Sequence, residues 1–174
     1  SESIILQLFR ESTTTATDAI FTSSGSWVCP AGVTSVSIVA IGAGSAGGSR
    51  PISGGASGGA TGGGGGGLAY INNYTVIPGQ TYGVVVGVGG RNYTTYQEYL
   101  DGQAQGGPTY FTYLGNDVIR ATAGVQGREY NNSGNPSIYP APIGGTWSGI
   151  TGTVGYNGGQ GGGMAPGGGG GGGG

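Results

Sequence analysis

The chain has no histidine and no lysine, and its single cysteine is Cys29. Without histidine the usual base–nucleophile pairs of covalent catalysis cannot be built. One cysteine excludes an intrachain disulfide and any cysteine-based metal site. Charged residues make up 7% of the chain, where roughly 25% is usual, and the formal net charge is −2. No basic footprint exists for neutralising phosphates, so nucleic-acid binding is not expected. The longest unbroken apolar run, Ile38 to Ile41, is far too short to cross a bilayer. Ser1 to Arg10 lacks the basic start and long apolar core of a secretion signal. The Asn73, Asn92 and Asn131 glycosylation patterns are therefore read as chance matches in an Asn- and Thr-rich chain.

Glycine is abundant instead. The 174 residues include 46 Gly and 8 Pro, about 31% together against roughly 12% in average usage. Such a composition suggests disorder, but disordered chains are rich in charge and poor in aromatics. This one carries 11 Tyr and 2 Trp, and its apolar residues fall in alternating runs punctuated by turn residues. Part of it must fold.

Residues 1–20 read as an N-terminal arm: an apolar stretch from Ser3 to Phe9, then a polar Thr-rich stretch from Glu11 to Asp18. The arm either docks onto a neighbouring subunit or forms a first edge strand and linker. Residues 21–174 read as one glycine-rich domain. Phe21, Trp27 and Cys29 share the parity of a half-buried strand. Pro30-Ala31-Gly32 predicts a turn with Pro second and Gly fourth, before a strand with Val36, Ile38 and Ala40 on one face. Leu68, Tyr70, Tyr74 and Val76 alternate next, Pro78-Gly79 marks a type II turn, and Tyr82, Val84, Val86 and Val88 alternate on the return. The opposite face of that return is Gly83, Val85, Gly87 and Gly89, bare enough to imply that another backbone packs there. Tyr110 to Ala123 predicts a hairpin turning at Gly115-Asn116-Asp117.

No stretch has a helical period, and each interior Gly would cost a helix roughly 1 kcal/mol relative to Ala. The expected fold is all-β: short antiparallel β-hairpins combined with polyglycine II helices in a layered sandwich. Polyglycine II is a left-handed extended helix of three residues per turn without internal hydrogen bonds. Its amides must find partners on neighbouring chains, and no Cβ holds those chains apart.

The segments Phe21 to Gly44, Gly62 to Gly67 and Tyr74 to Gly90 together resemble the glycine-rich domain common in bacteriophage tail-fibre and other virion-surface proteins. The resemblance covers about residues 21–125, and loosely the final glycine run. It implies a virion location on tail or capsid surface, a homo-oligomer with a trimer favoured, and contacts to other virion proteins through the arm. Some tail-tip adhesins of this broad group are sandwiches of polyglycine helices whose loops contact host receptors. A head-fibre or capsid-decoration role without receptor binding stays open beside the tail tip.

Val36 to Gly47 also matches a strand running into G-x-G-x-x-G. A dinucleotide site needs a helix next and an acidic residue about 20 positions on. The chain continues through Pro51 and glycines, and Gly62 to Gly67 holds no acid, so no cofactor is expected. Glu98 with Asp101, or Asp117 with Glu129, read as solvated loop carboxylates, with neither catalysis nor metal binding indicated. The expected binding surface is two loop clusters: Tyr93, Tyr96 and Tyr99, then Tyr130, Asn131, Asn132 and Tyr139, with Trp147 nearby in sequence. Tyrosine offers a flat apolar face and a hydroxyl at low rotamer cost. Amide neighbours suit a cell-surface glycan or an outer-membrane protein. The same tyrosines would equally pack over the glycine layers. An ice-binding bundle would need Thr at regular spacing on a flat face, and Thr here clusters at 13–17 and in turns.

Overall fold

The computed structural model describes residues 18–48, 60–93, 98, 101–128 and 141–163, together with the backbone of 4–7. Among the described residues ten strands form two antiparallel sheets: β1 (Ile4–Gln7), β2 (Asp18–Phe21), β3 (Gly25–Val28), β4 (Ser35–Ile41), β5 (Leu68–Thr75), β6 (Thr81–Val85), β7 (Thr109–Tyr113), β8 (Asn116–Ala121), β9 (Trp147–Gly149) and β10 (Val154–Tyr156). The first sheet has the order β10-β5-β4-β1-β2, the second β3-β6-β7-β8-β9. The fold is all-β, as the missing helical period requires. The stretch expected to be an arm contributes β1, which lies between β4 and β2, and the boundary expected at 20/21 falls inside β2.

The sheets face each other across one core. The first sheet contributes Val36, Ile38, Ala40, Ala69 and Ile71, the second Trp27, Tyr82, Val84, Phe111, Ile119 and Ala121. Tyr82 stacks on Phe111 with centroids 5.3 Å apart and on Tyr113 at 4.8 Å, pairs worth roughly 0.5–1.5 kcal/mol each beyond their burial. The Tyr82 hydroxyl accepts the Ile77 N–H at 2.9 Å, so this buried ring leaves no polar atom stranded.

Local details depart from the expected pattern in instructive ways. Phe21 and Trp27 do not share a strand: Phe21 ends β2 in the first sheet, and the chain crosses to begin β3 in the second. In β5 the buried residues are Ala69 and Ile71 rather than Leu68 and Tyr70. Val36 opposes Tyr74 while Ile38 opposes Ile71, so β5 holds one extra residue there. Asn73, at φ 55, takes up the bulge and restores parity for Tyr74 and Val76. The first turn has Pro30 at its first position and Gly32 (φ 78) at its third, closed by Val33 N–H to Pro30 C=O. The second places Pro78 and Gly79 as expected, with Gln80 N–H donating to Ile77 C=O. The β7–β8 hairpin turns on Leu114 (φ 50) and Gly115 (φ 79), because a two-residue turn matching strand twist needs positive φ at both. Asn116 and Asp117 already pair across the ladder. Behind β6, a Cβ on Gly87 would strike the Gly107 carbonyl, while the neighbour behind Gly83 is the Thr112 side chain.

Beyond the sheets the strands continue as glycine-rich segments: s1 (42–48) after β4, s2 (61–67) before β5, s3 (86–91) after β6, s4 (103–107) before β7, s5 (122–128) after β8, s6 (141–146) before β9 and s7 (157–163) after β10. Their backbone hydrogen bonds repeat every third residue. Amides of Gly42, Ser45 and Gly48 in s1 donate to Gly67, Gly64 and Thr61 in s2 at 2.8, 3.0 and 2.9 Å. Ala43 and Ala46 donate instead to Gly107 and Ala104 in s4. Thr61, Gly64 and Gly67 donate to Arg128, Val125 and Thr122 in s5, and Gly62 and Gly65 donate to Gly162 and Gly159 in s7. A repeat of three is the period that polyglycine II chains impose on their neighbours.

Close approach is what excludes side chains. A Cβ on Gly66 would fall well below 3.0 Å from the Gly42 carbonyl oxygen, a separation real Cβ atoms essentially never show. A Cβ on Gly44, in the neighbouring segment, would meet nothing within 4 Å. Gly66→Ala is therefore expected to destabilise the fold by about 1–3 kcal/mol, the usual cost of overpacking. Gly44→Ala should stay within about 0.5 kcal/mol. Urea unfolding of both variants beside the parent chain measures the contrast.

Cys29 is buried, and its thiol donates to the Val33 carbonyl at 3.2 Å. Burial pushes this thiol above its ordinary range, so the folded state keeps a proton that the unfolded chain releases from about pH 8.5 upward. Stability should be level from pH 7 to 8 and fall as pH rises beyond that. Cys29→Ala should flatten the fall below the tyrosine range. Above it Tyr74, also raised by burial and by Tyr82 and Tyr113, adds a slope of the same sign. Unfolding curves across pH 7–11 test this.

Candidate functional site

All seven glycine-rich segments leave the sandwich in one direction. Near the sheets, Thr122 bonds Thr146 and receives the Gly67 amide; at the far end Gly48 bonds Thr61, Thr61 bonds Arg128, and Gly62 bonds Gly162. The connections 49–59 and 129–140 therefore start and finish at that outer end, as does the polar Tyr-rich stretch between s3 and s4, where Arg91 N–H donates to Gln103 C=O. The opposite end of the sandwich carries tight turns at Gly32, Gly79, Gly115 and Gly152, all at positive φ, and the connection 8–17 between β1 and β2 starts and finishes there too. Long connections at one end of a rigid scaffold are where binding residues concentrate.

Central and peripheral segments differ in composition. The hexaglycine of s2 has neighbours s1, s5, s6 and s7 and is buried along most of its length. Segment s7 has an open side, and its exposed residues Asn157, Gln160 and Gly163 recur every third position. In s5 the buried Gly124 and Gly127, three apart, donate to Ala43 and Ala46 of s1. In s7 the side chains stand on the third of the turn that faces water. Two side chains reinforce the lattice from within. Ser45 Oγ accepts the Gly106 amide and donates to the Gly124 carbonyl at 2.5 Å. Gln105 donates to the same carbonyl at 2.6 Å and accepts the Gln126 amide.

Of the residues expected to bind, the structure describes Tyr93 and Trp147. Tyr93 is 1% exposed, so its ring lies in the interior at the root of the Tyr-rich loop. Trp147 is 38% exposed and stands at the sheet end, opposite Ala121 on β8 and over Gly155 of β10. The length of s6 separates it from the outer end. Tyr96, Tyr99, Tyr130, Asn131, Asn132 and Tyr139 lie outside the described residues.

A cleft of about 640 Å³, which residue type did not signal, opens between s3 and s4 below the same loop. Val88, Arg91, Asp101 and Gln103 line it, with bare main chain at Gly89 and Gly106. Such a surface can offer bare main chain and a guanidinium within one ligand's reach. On the outer face of the second sheet, Arg120 sits 3.9 Å from the Tyr110 ring centroid and pairs with Asp117 at 2.5 Å. The Asp117 hydrogen bond is the main reason its guanidinium lies above the ordinary value. The pair is about two-thirds buried, and partly exposed pairs of this kind add little stability. The outer face of the first sheet is apolar, with Ile20 61% and Tyr156 66% exposed; Ile20 and Val154 share one cross-strand row, Ile41 and Tyr156 another.

Among the described residues no group of three His, Cys, Asp or Glu side chains could hold a metal ion. The G-x-G-x-x-G glycines belong to s1, where Gly42 and Gly47 let the backbones of Thr122 and Thr61 approach. That close packing accounts for Gly42 and Gly47, while a Cβ on Gly44 would meet nothing within 4 Å.

Comparison with curated proteins and with solved structures finds no match. A family model described as a glycine-rich domain matches residues 18–174, from β2 through every lattice segment, and the chain belongs to that family.

Proposed function

We propose that this chain is a structural and binding module of a bacteriophage virion surface, a tail-fibre or adhesin domain whose outer-end loops contact the host, and not an enzyme. The observation that carries the reading is the layout: a lattice stiffened by backbone hydrogen bonds of period three, with the three connections that join its own segments, 49–59, 92–102 and 129–140, rooted at its outer end. A receptor-binding tip needs loops free to vary in sequence on a support that does not vary. Segments bonded chiefly through main chain supply that support, since loop substitutions remove none of their bonds. Tyr96, Tyr99, Tyr130, Asn131, Asn132 and Tyr139 belong to these connections and remain the proposed contacts to a glycan or outer-membrane protein. Trp147 and Tyr93 are assigned to packing instead.

A second reading, capsid decoration or head fibre without receptor binding, draws on the apolar outer face of the first sheet. Ile20, Ile41, Val154 and Tyr156 there suit contact with a second copy or a neighbouring virion protein, including assembly as a trimer.

The test is attachment of the purified chain to cells that the parent particle infects. Tyr96→Ala with Tyr99→Ala, and separately Tyr130→Ala with Tyr139→Ala, should weaken attachment at least tenfold in one pair while the unfolding midpoint stays put. Unchanged attachment in both pairs overturns the receptor assignment. No attachment by the parent chain, with particle assembly lost on Ile20→Asp or Tyr156→Asp, would establish the second reading.

A further inference from the structure

Three residues per turn aim the amides of s2 in three directions. Those of Thr61, Gly64 and Gly67 reach s5, and those of Gly62 and Gly65 reach s7. Those of Gly63 and Gly66 have no acceptor among the described residues, although Gly63 is buried. The corresponding third set in s1 is different in kind. Gly44 is exposed, so water can take its amide. A buried N–H has no such recourse and requires an acceptor.

We propose that the third side of s2 is a docking slot for the chain's own last glycine run, residues 167–174. Segment s7 reaches its outer end at Gly163, beside s2, because Gly62 N–H donates to the Gly162 carbonyl. Met164-Ala165-Pro166 then supplies a short non-glycine link in which to reverse, and proline is a natural turn former. A returning run of this length at about 3.1 Å per residue would extend about 25 Å, enough to cover all of s2. It would run parallel to s2. That arrangement has a precedent in the lattice, since Gly124 and Gly127 of s5 donate to Ala43 and Ala46 of s1 in ascending order. Composition agrees. A segment with an open side keeps side chains at every third position, as s7 does with Asn157 and Gln160, whereas s2, closed in on several sides, is unbroken glycine from Gly62 to Gly67. Residues 167–174 have the composition of s2.

Amide hydrogen exchange on the whole chain tests this residue by residue. In the parent chain Gly63 and Gly66 should be protected at least 100-fold, like Gly62 and Gly65. In the full-length variant Gly168→Val with Gly171→Val, Gly63 and Gly66 should lose at least tenfold of that protection. Gly62 and Gly65, bonded to s7, should hold theirs and so report that the lattice is intact. Unprotected Gly63 and Gly66 in the parent chain would overturn the proposal, and this result needs no variant. Equal protection in parent and variant, with Gly62 and Gly65 unchanged, would overturn it too. Sedimentation run alongside separates the two possible sources of the run. A monomer with protected Gly63 supports docking within one chain. Protection that appears only as copies associate places the run in a second copy and overturns docking within the chain.

Discussion

The structure depends on main-chain amides being satisfied by other main chains that carry no side groups. In a β-sandwich, side chains fill the space between layers and hydrogen bonds stay within each sheet. In the lattice beyond the sheets the layers themselves are joined by hydrogen bonds, and at many positions the spacing between chains leaves no room for a Cβ. Gly144 makes the point: a Cβ there would collide with the Gly158 carbonyl of s7, the segment whose amide bonds Gly145 next door. Glycine is needed at such positions for its size, whatever its backbone angles.

That material has a weakness, which is entropy. Glycine loses more conformational freedom on ordering than any other residue, and a glycine run has no apolar surface to offset the loss. The sandwich answers by fixing one end of every segment. Each of s1 to s7 is continuous with, or closely adjoins, a strand whose register is set by the aromatic core, so the first lattice residue is already placed when its strand pairs. The remaining bonds then extend from a fixed start. This explains why one chain combines a conventional core around Tyr82 and Phe111 with segments that have none. It also explains why Ser45 and Gln105 matter: Ser45 ties s1, s4 and s5 together with one side chain, and Gln105 bonds s4 to s5 twice, in a region where few side chains fit.

How much of this was legible in the sequence depended on whether a segment carried phase markers. Alternation found Val36, Ile38 and Ala40, and also Tyr82, Val84 and Val86, because apolar and small or polar residues trade places there. It failed in β5, where the Asn73 bulge shifts parity without any apolar residue to announce it. It placed the β7–β8 turn late because Leu114 is an unusual residue at positive φ. Glycine runs were readable as bundling chains but not as a particular arrangement, since six identical residues have no phase. The period shows only where a side chain interrupts it, at Asn157 and Gln160 or in the spacing of Gly124 and Gly127. The candidate site was the least legible part. Tyrosine suits an interior and a binding loop equally, and nothing in the residue type distinguishes the buried Tyr93 from its neighbours along the loop.

The two ends of the molecule then have different freedoms. At the sheet end, Gly32, Gly79, Gly115 and Gly152 each hold positive φ in a short turn, so both length and residue type are constrained. At the outer end the connections begin from segments already bonded on several sides, and their closure costs grow only slowly with length. Insertions and substitutions there leave the lattice bonds untouched. A change in s2 is felt by its neighbours s1, s5, s6 and s7, because all are bonded to it. The same hydrogen bonds that make the interior intolerant of a single methyl group are what leave the outer loops free to change.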